Sequence, residues 1–216
     1  VHQPATAQEA EAAMTRLRFE ELFLLQMTLL QHKKKVTQDL PGVRFSEVGE
    51  AFHTFYDTQL PFELTEAHKR VLREIRADLN TGWHMNRLLQ GDVGSGKTVV
   101  ALLTALLAKD NGYQAAIMAP TDILAQQPLE GLRELLGDMP VRVELLTGSV
   151  KGSARATLLE ALESGAIALL VGTHALIEPK VVFARLGLAV IDEQPRSGVA
   201  PRSTLWQTAK FSPHTL

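Results

Sequence analysis

Asn86-Arg87-Leu88-Leu89-Gln90-Gly91-Asp92-Val93-Gly94-Ser95-Gly96-Lys97-Thr98 is the stretch that decides the fold. Residues 91–98 fit the pattern G-x-x-x-x-G-K-[ST], in which glycines let backbone amides curl around phosphates at an anion-friendly helix N-terminus. Lys97 would reach the outer phosphates and Thr98 would ligate magnesium. Eight residues could match by chance and form only a glycine turn. Here Asn86–Leu89 reads as a short strand before the loop and Val99–Lys109 as a helix after it, which is the context the motif requires. Gly91, Gly94, Ser95, Gly96, Lys97 and Thr98 are therefore the expected contacts to a nucleoside triphosphate and its magnesium ion.

Downstream, helices and short apolar strands alternate. The first helix stops at Asn111-Gly112, a C-cap signal. Ala115–Ala119 reads as a buried strand, Ile123–Leu136 as a helix and Val141–Leu146 as a strand. A helix over Ala154–Ser164 is stopped by Gly165, and strands follow at Ala168–Val171 and Leu188–Ile191. This order predicts an α/β domain, a mostly parallel sheet covered by helices on both faces. Pro128 falls inside Ile123–Leu136 and should kink or interrupt it.

The last strand carries a second element, Leu188-Ala189-Val190-Ile191-Asp192-Glu193. Four apolar residues followed by two carboxylates describe a buried strand presenting acid at its C-terminal end. Alone, the pair would read as a solvated turn. Lying 95 residues (192 − 97) after the loop lysine, it reads as catalytic: Asp192 would hold magnesium and Glu193 would polarise the attacking water. Ligands bind at this edge of parallel sheets.

Upstream, Thr65 is a candidate N-cap for a helix over Glu66–Leu79, with Val71, Leu72, Ile75 and Leu79 on one face. Asp39–Leu60 lacks clear periodicity and reads as a connector with one short helix. Ala7 to about Lys35 has apolar residues at helical spacing and a composition of good helix formers. His32-Lys33-Lys34-Lys35 would close that helix, its positive charge solvated at the negative end of the helix dipole. Two regions follow: a helical linker and connector, 1–59, and a nucleotide-binding domain, 60–216.

The 216 residues include no cysteine, which excludes disulfides and thiolate metal sites, and the formal net charge is −2, so a nucleic-acid footprint would have to be local. No apolar run reaches the ~18 residues needed to cross a bilayer, and the N-terminus lacks the order of a signal peptide. A cytoplasmic protein without a membrane partner is expected. The chain opens on Val1 and stops at Pro213-His214-Thr215-Leu216 without a recognisable cap, so it reads as a fragment.

The combined motifs resemble the superfamily 2 helicases, and within them the bacterial branched-DNA helicases. The resemblance rests on residues 85–98, on Ala119-Pro120-Thr121-Asp122-Ile123-Leu124-Ala125, on Leu146-Thr147-Gly148-Ser149, on Val171-Gly172-Thr173-His174-Ala175-Leu176 and on Val190-Ile191-Asp192-Glu193-Gln194. It is dense from about Leu60 onward, and Arg18-Phe19-Glu20-Glu21-Leu22 is similar to the family's linker helix. The resemblance implies a RecA-like domain, incomplete at its C-terminal end, that binds ATP with magnesium. It implies DNA-backbone contacts at Pro120, Thr121, Thr147, Gly148, Thr173 and His174, and branched or forked DNA as the partner. A second motor lobe and a wedge domain would lie elsewhere in the parent protein, so the fragment alone would be a weak ATPase. The related transcription-repair coupling translocases have Asp-Glu-Glu where this chain has Asp192-Glu193-Gln194.

Several positions depart from the family pattern. His68 stands where a glutamine reads adenine, and a histidine can still donate a hydrogen bond there. Pro195 replaces the histidine that couples nucleotide state to the DNA loops. Ser197 replaces an aromatic residue, Pro128 a histidine and Pro201 a glutamine. Lys97, Thr98, Asp192 and Glu193 are spared. The expectation is nucleotide binding with impaired coupling; a degenerate nucleotide-binding scaffold is the alternative.

Overall fold

The computed structural model describes residues 4–39, 41–92, 94–192 and 212–216, with backbone alone for 32–39. Two units emerge, residues 1–40 and 41–216. The first is one helix, α1 (Ala7–Asp39). An ion pair from Arg16 to Glu20 at 2.7 Å and stacked rings of Phe19 and Phe23 at 5.7 Å support it at i,i+4 spacing. His32–Lys35 do not close this helix, which continues to Asp39.

The second unit is built on a parallel sheet. Its strands are β1 (Gln114–Met118), β2 (Val143–Leu146), β3 (Leu169–Gly172), β4 (Leu186–Ile191) and β5 (His214–Thr215), in the order β2-β3-β1-β4-β5. Every pairing between them is parallel. Its helices are α2 (Glu50–Thr54), α3 (Glu66–Leu79), α4 (Lys97–Asp110), α5 (Asp122–Leu136) and α6 (Gly152–Glu163).

Side chains alternate across a strand, and here the alternation divides the core in two. Ala115, Ile117, Leu169, Val171, Leu188 and Val190 join the layer of α3, α4 and α5. Ala116, Met118, Leu170 and Ala189 join Leu158 and Leu162 of α6 on the other side. Both faces are covered, as the sequence predicts. α4 is buried from Val99 to Ala108, which explains why its sequence is apolar all round rather than striped.

Residues 41–59 also pack into this unit. The Asp110 carboxylate at the end of α4 accepts from the amides of Gly49, Ala51 and Phe52, each at 3.0 Å, and so caps α2. Val43, Phe45 and Phe55 are buried in the larger core. His214 of β5 is fully buried and binds the same region: its Nε2–H donates to the Val43 carbonyl, and its Nδ1 accepts from the Met85 amide at 3.0 Å.

Two local expectations change. Asn86–Leu89 forms a bridge, Asn86 to Thr215, instead of a strand. Among the described residues Thr215 is the one backbone hydrogen-bond partner of this segment, accepting from the Arg87 amide at 3.0 Å and donating to the Met85 carbonyl just before it at 2.8 Å. Pro128 does not interrupt α5, which runs unbroken from Asp122 to Leu136. Proline removes one backbone donor there, but Ala125, Leu129, Leu132 and Leu136 are buried on one face and hold both halves against the sheet.

Candidate nucleotide site and nucleic-acid rim

The phosphate loop is aimed by the elements around it. Its approach is fixed by the Thr215 pairing and by the Arg87 side chain, which bridges to Asp78 and to Glu74 on α3. Gly94 and Gly96 have φ of +78° and +80°, a conformation L side chains rarely adopt. Gly96 is the N-cap of α4, which begins at Lys97, two residues before the sequence reading placed it. That cap directs the unpaired amides of the first turn into the loop. Lys97 Nζ curls back and donates to the carbonyls of Gly91 and Asp92 at 2.7 and 2.8 Å.

Asp192 leaves the end of β4 with its amide bonded to Met118 O at 2.9 Å. Lys97, Thr98 and Asp192 line one cavity of about 120 Å³, together with apolar residues that include Ile117 and Val190. The structure thus brings together the loop lysine, the hydroxyl and the first carboxylate. Glu193, Gln194, Pro195, Ser197 and Pro201 lie outside the described residues, as does Val93. Among the described residues no cluster of three or more His, Cys, Asp or Glu side chains forms a protein-only metal cage. Thr98 and Asp192 bring a hydroxyl and a carboxylate to this cavity, oxygen donors of the kind that suit magnesium.

His68 sits on the first turn of α3. Its Nδ1 lies 3.3 Å from the Thr65 amide and 3.0 Å from the Thr65 hydroxyl, which in turn accepts from the His68 amide. Its Nε2 is 2.7 Å from the Ser95 carbonyl. The histidine completes a capping box and touches the phosphate loop, a contact the sequence reading missed. The signal was the spacing Thr65-x-x-His68, with histidine in the place that Glu or Gln takes in such a box.

The loops expected to meet DNA leave the same edge of the sheet. Thr121 is half of a helix cap, its hydroxyl accepting from Leu124 N at 3.3 Å, and Pro120 precedes it half-buried. Thr147 and Thr173 are buried. The Thr147 hydroxyl bonds Ser149 Oγ at 2.6 Å, and Thr173 donates to Asp122 at 3.4 Å. Gly148 and His174 are exposed. Thr147 and Thr173 thus shape their loops from inside, and the outward groups are Thr121, Gly148, Ser149 and His174. A Cβ on Gly172 would run into the Leu146 carbonyl, so this glycine lets the β2 and β3 loops approach.

Residues 65–209 match the DEAD/DEAH box helicase family, and the chain belongs to that family. Within it, the chain is similar to the ATP-dependent DNA helicase RecG. Identity is 46% to the Synechocystis protein over 100% of this chain and 26% of that one, and 46% to the Bacillus subtilis protein over 95% of this chain and 30% of that one. A structure of RecG bound to a three-way DNA junction superposes with a TM-score of 0.81 at 38% identity, covering 98% of this chain and 28% of that one. The chain spans between a quarter and a third of these relatives. No helix among the described residues is long and apolar enough to cross a membrane.

Proposed function

We propose that residues 60–216 form the first ATP-binding motor lobe of a RecG-like helicase that remodels branched or forked DNA in recombination, repair and stalled-fork rescue, with residues 1–59 serving as linker and connector. This is a division of labour rather than of packing, because residues 41–59 share the core of the second unit. The observation that carries the reading is the single cavity lined by Lys97, Thr98 and Asp192.

In this reading Gly91, Gly94, Ser95 and Gly96 wrap the phosphates, and Lys97 leaves the Gly91 and Asp92 carbonyls to meet them. Thr98 and Asp192 would hold magnesium, which would supply positive charge to offset that of the phosphate oxygens. Glu193 would orient the attacking water. Thr121, Gly148, Ser149 and His174 would face the DNA backbone, with Pro120, Thr147 and Thr173 holding their loops. Such contacts position a duplex without reading its sequence. The second motor lobe and a wedge domain would complete the machine in the parent protein, working in the cytoplasm.

Lys97→Ala should weaken ATP binding about ten- to a hundredfold, the range for losing a hydrogen bond to a charged group. Displacement of a fluorescent nucleotide measures it, and unchanged affinity would refute the phosphate-loop assignment. For the parent protein, forked DNA should stimulate ATP hydrolysis; a flat response would favour a degenerate binding module.

A further inference from the structure

We infer that His68 is a positioning residue of the phosphate loop, and that the site selects nucleoside triphosphates by their phosphates with little discrimination between adenine and guanine. The inference rests on the phosphate-loop reading and adds to it the class of nucleotide accepted.

The partners fix the ring's chemistry. The Ser95 carbonyl can only accept, so Nε2 carries the proton. The Thr65 amide can only donate, so Nδ1 is bare. The contacts therefore select one tautomer of His68, with both nitrogens engaged inside the chain. The ring is also seated against the loop itself: a Cβ on Gly96 would lie 2.7 Å from Nε2.

Purines are told apart by hydrogen-bonding edges, since adenine offers an amine donor where guanine offers a carbonyl acceptor. Reading either edge would require His68 to release the loop or the cap of α3. The neighbouring exposed ring of Phe62, with its centroid 6.4 Å from that of His68, offers a flat face. Stacking on such a face tolerates any base. What His68 does control is the Ser95 peptide, which lies between the two left-handed glycines and so sets how the loop amides point at a phosphate.

The test is competition binding of ATP and GTP, each displacing a fluorescent ADP analogue, on the wild-type chain and on His68→Ala. The two triphosphates should bind the wild type within about threefold of each other. The substitution should weaken both by the same factor, about fivefold for one lost hydrogen bond. Loss of ATP affinity alone would make His68 a base reader and overturn the inference, and unchanged affinity for both would overturn the tether. If neither triphosphate binds the wild type, the phosphate-loop reading falls as well, a result distinct from the other two. Should the alanine variant fail to fold, the imidazole ¹⁵N signals of the wild type decide. A protonated Nε2 and a bare Nδ1, alike with ATP and GTP, support the tether; a change with ATP alone overturns it.

Discussion

Acid should undo this fold through one histidine. His214 is fully buried, with Nε2 donating to Val43 and Nδ1 accepting from Met85, so its ring has no room for a second proton. Burial, with a smaller contribution from neighbouring His84, pushes its pKa from 6.5 down to about 4. The unfolded chain therefore takes up a proton near pH 6.5 that the folded chain refuses until about pH 4. Stability should be level above 6.5, fall between 6.5 and 4, and level off below. At about 1.4 kcal/mol per pH unit, that window costs about 3 kcal/mol, a large part of the 5–15 kcal/mol typical of a domain. His84, also lowered by burial, adds to the same slope. Urea unfolding of wild type and His214→Gln, followed by tryptophan fluorescence at pH 7, 5.5 and 4, isolates the effect. Carboxylates titrate alike in both proteins and cancel in the difference. The variant should be the less stable at pH 7, having lost packing and a buried hydrogen bond, and the gap should close by about 3 kcal/mol on reaching pH 4. Parallel curves would refute the argument, as would a His214 imidazole signal titrating near 6.5.

Asp110→Ala should cost about 1–2 kcal/mol, because three amides at the start of α2 lose their acceptor; thermal unfolding reads it, and an unchanged midpoint would count against the cap. Gly172→Ala should cost about 1–3 kcal/mol by driving a methyl group into the Leu146 carbonyl, seen as a lower urea midpoint without loss of secondary structure in far-UV circular dichroism. Asp192→Asn should leave magnesium-free ATP affinity nearly unchanged and remove most of the gain that magnesium gives. Calorimetric titration with and without the metal separates the two.

The sheet and its helices were legible because their signals are local. Short apolar runs of strand length alternate with helical spacing, and Thr65, Asn111-Gly112 and Gly165 punctuate them where the structure turns. The loop lysine was legible because its motif is contiguous. Less legible was whatever depends on distant partners. Asn86–Leu89 has strand composition but a partner at Thr215, 129 residues on (215 − 86), that supports one bridge. Pro128 looked like a breaker because its local cost is visible in sequence, whereas the four buried residues that hold α5 together act through the sheet. Thr147 and Thr173 read as DNA-backbone contacts by resemblance, and only the packed loops reveal that both are buried. His68 was noticed as a substitution, but its partner at Ser95 lies 27 residues away (95 − 68) and had no signature.

The loops assigned chemistry after β1, β2, β3 and β4 leave the C-terminal ends of those strands. The opposite edge is made of short returns near Gly112, Gly137 and Gly165, around a solvent-open cleft of about 600 Å³ lined by Lys109, Arg142 and Arg185 among others. The chain is thus permissive on one side and exacting on the other. A peptide tag or a small folded insert spliced between Gly137 and Asp138 would extend from an exposed turn at the far end of α5 from its Thr121 cap. It would give an engineer or an evolving gene a place to add a passenger while leaving the nucleotide grip intact.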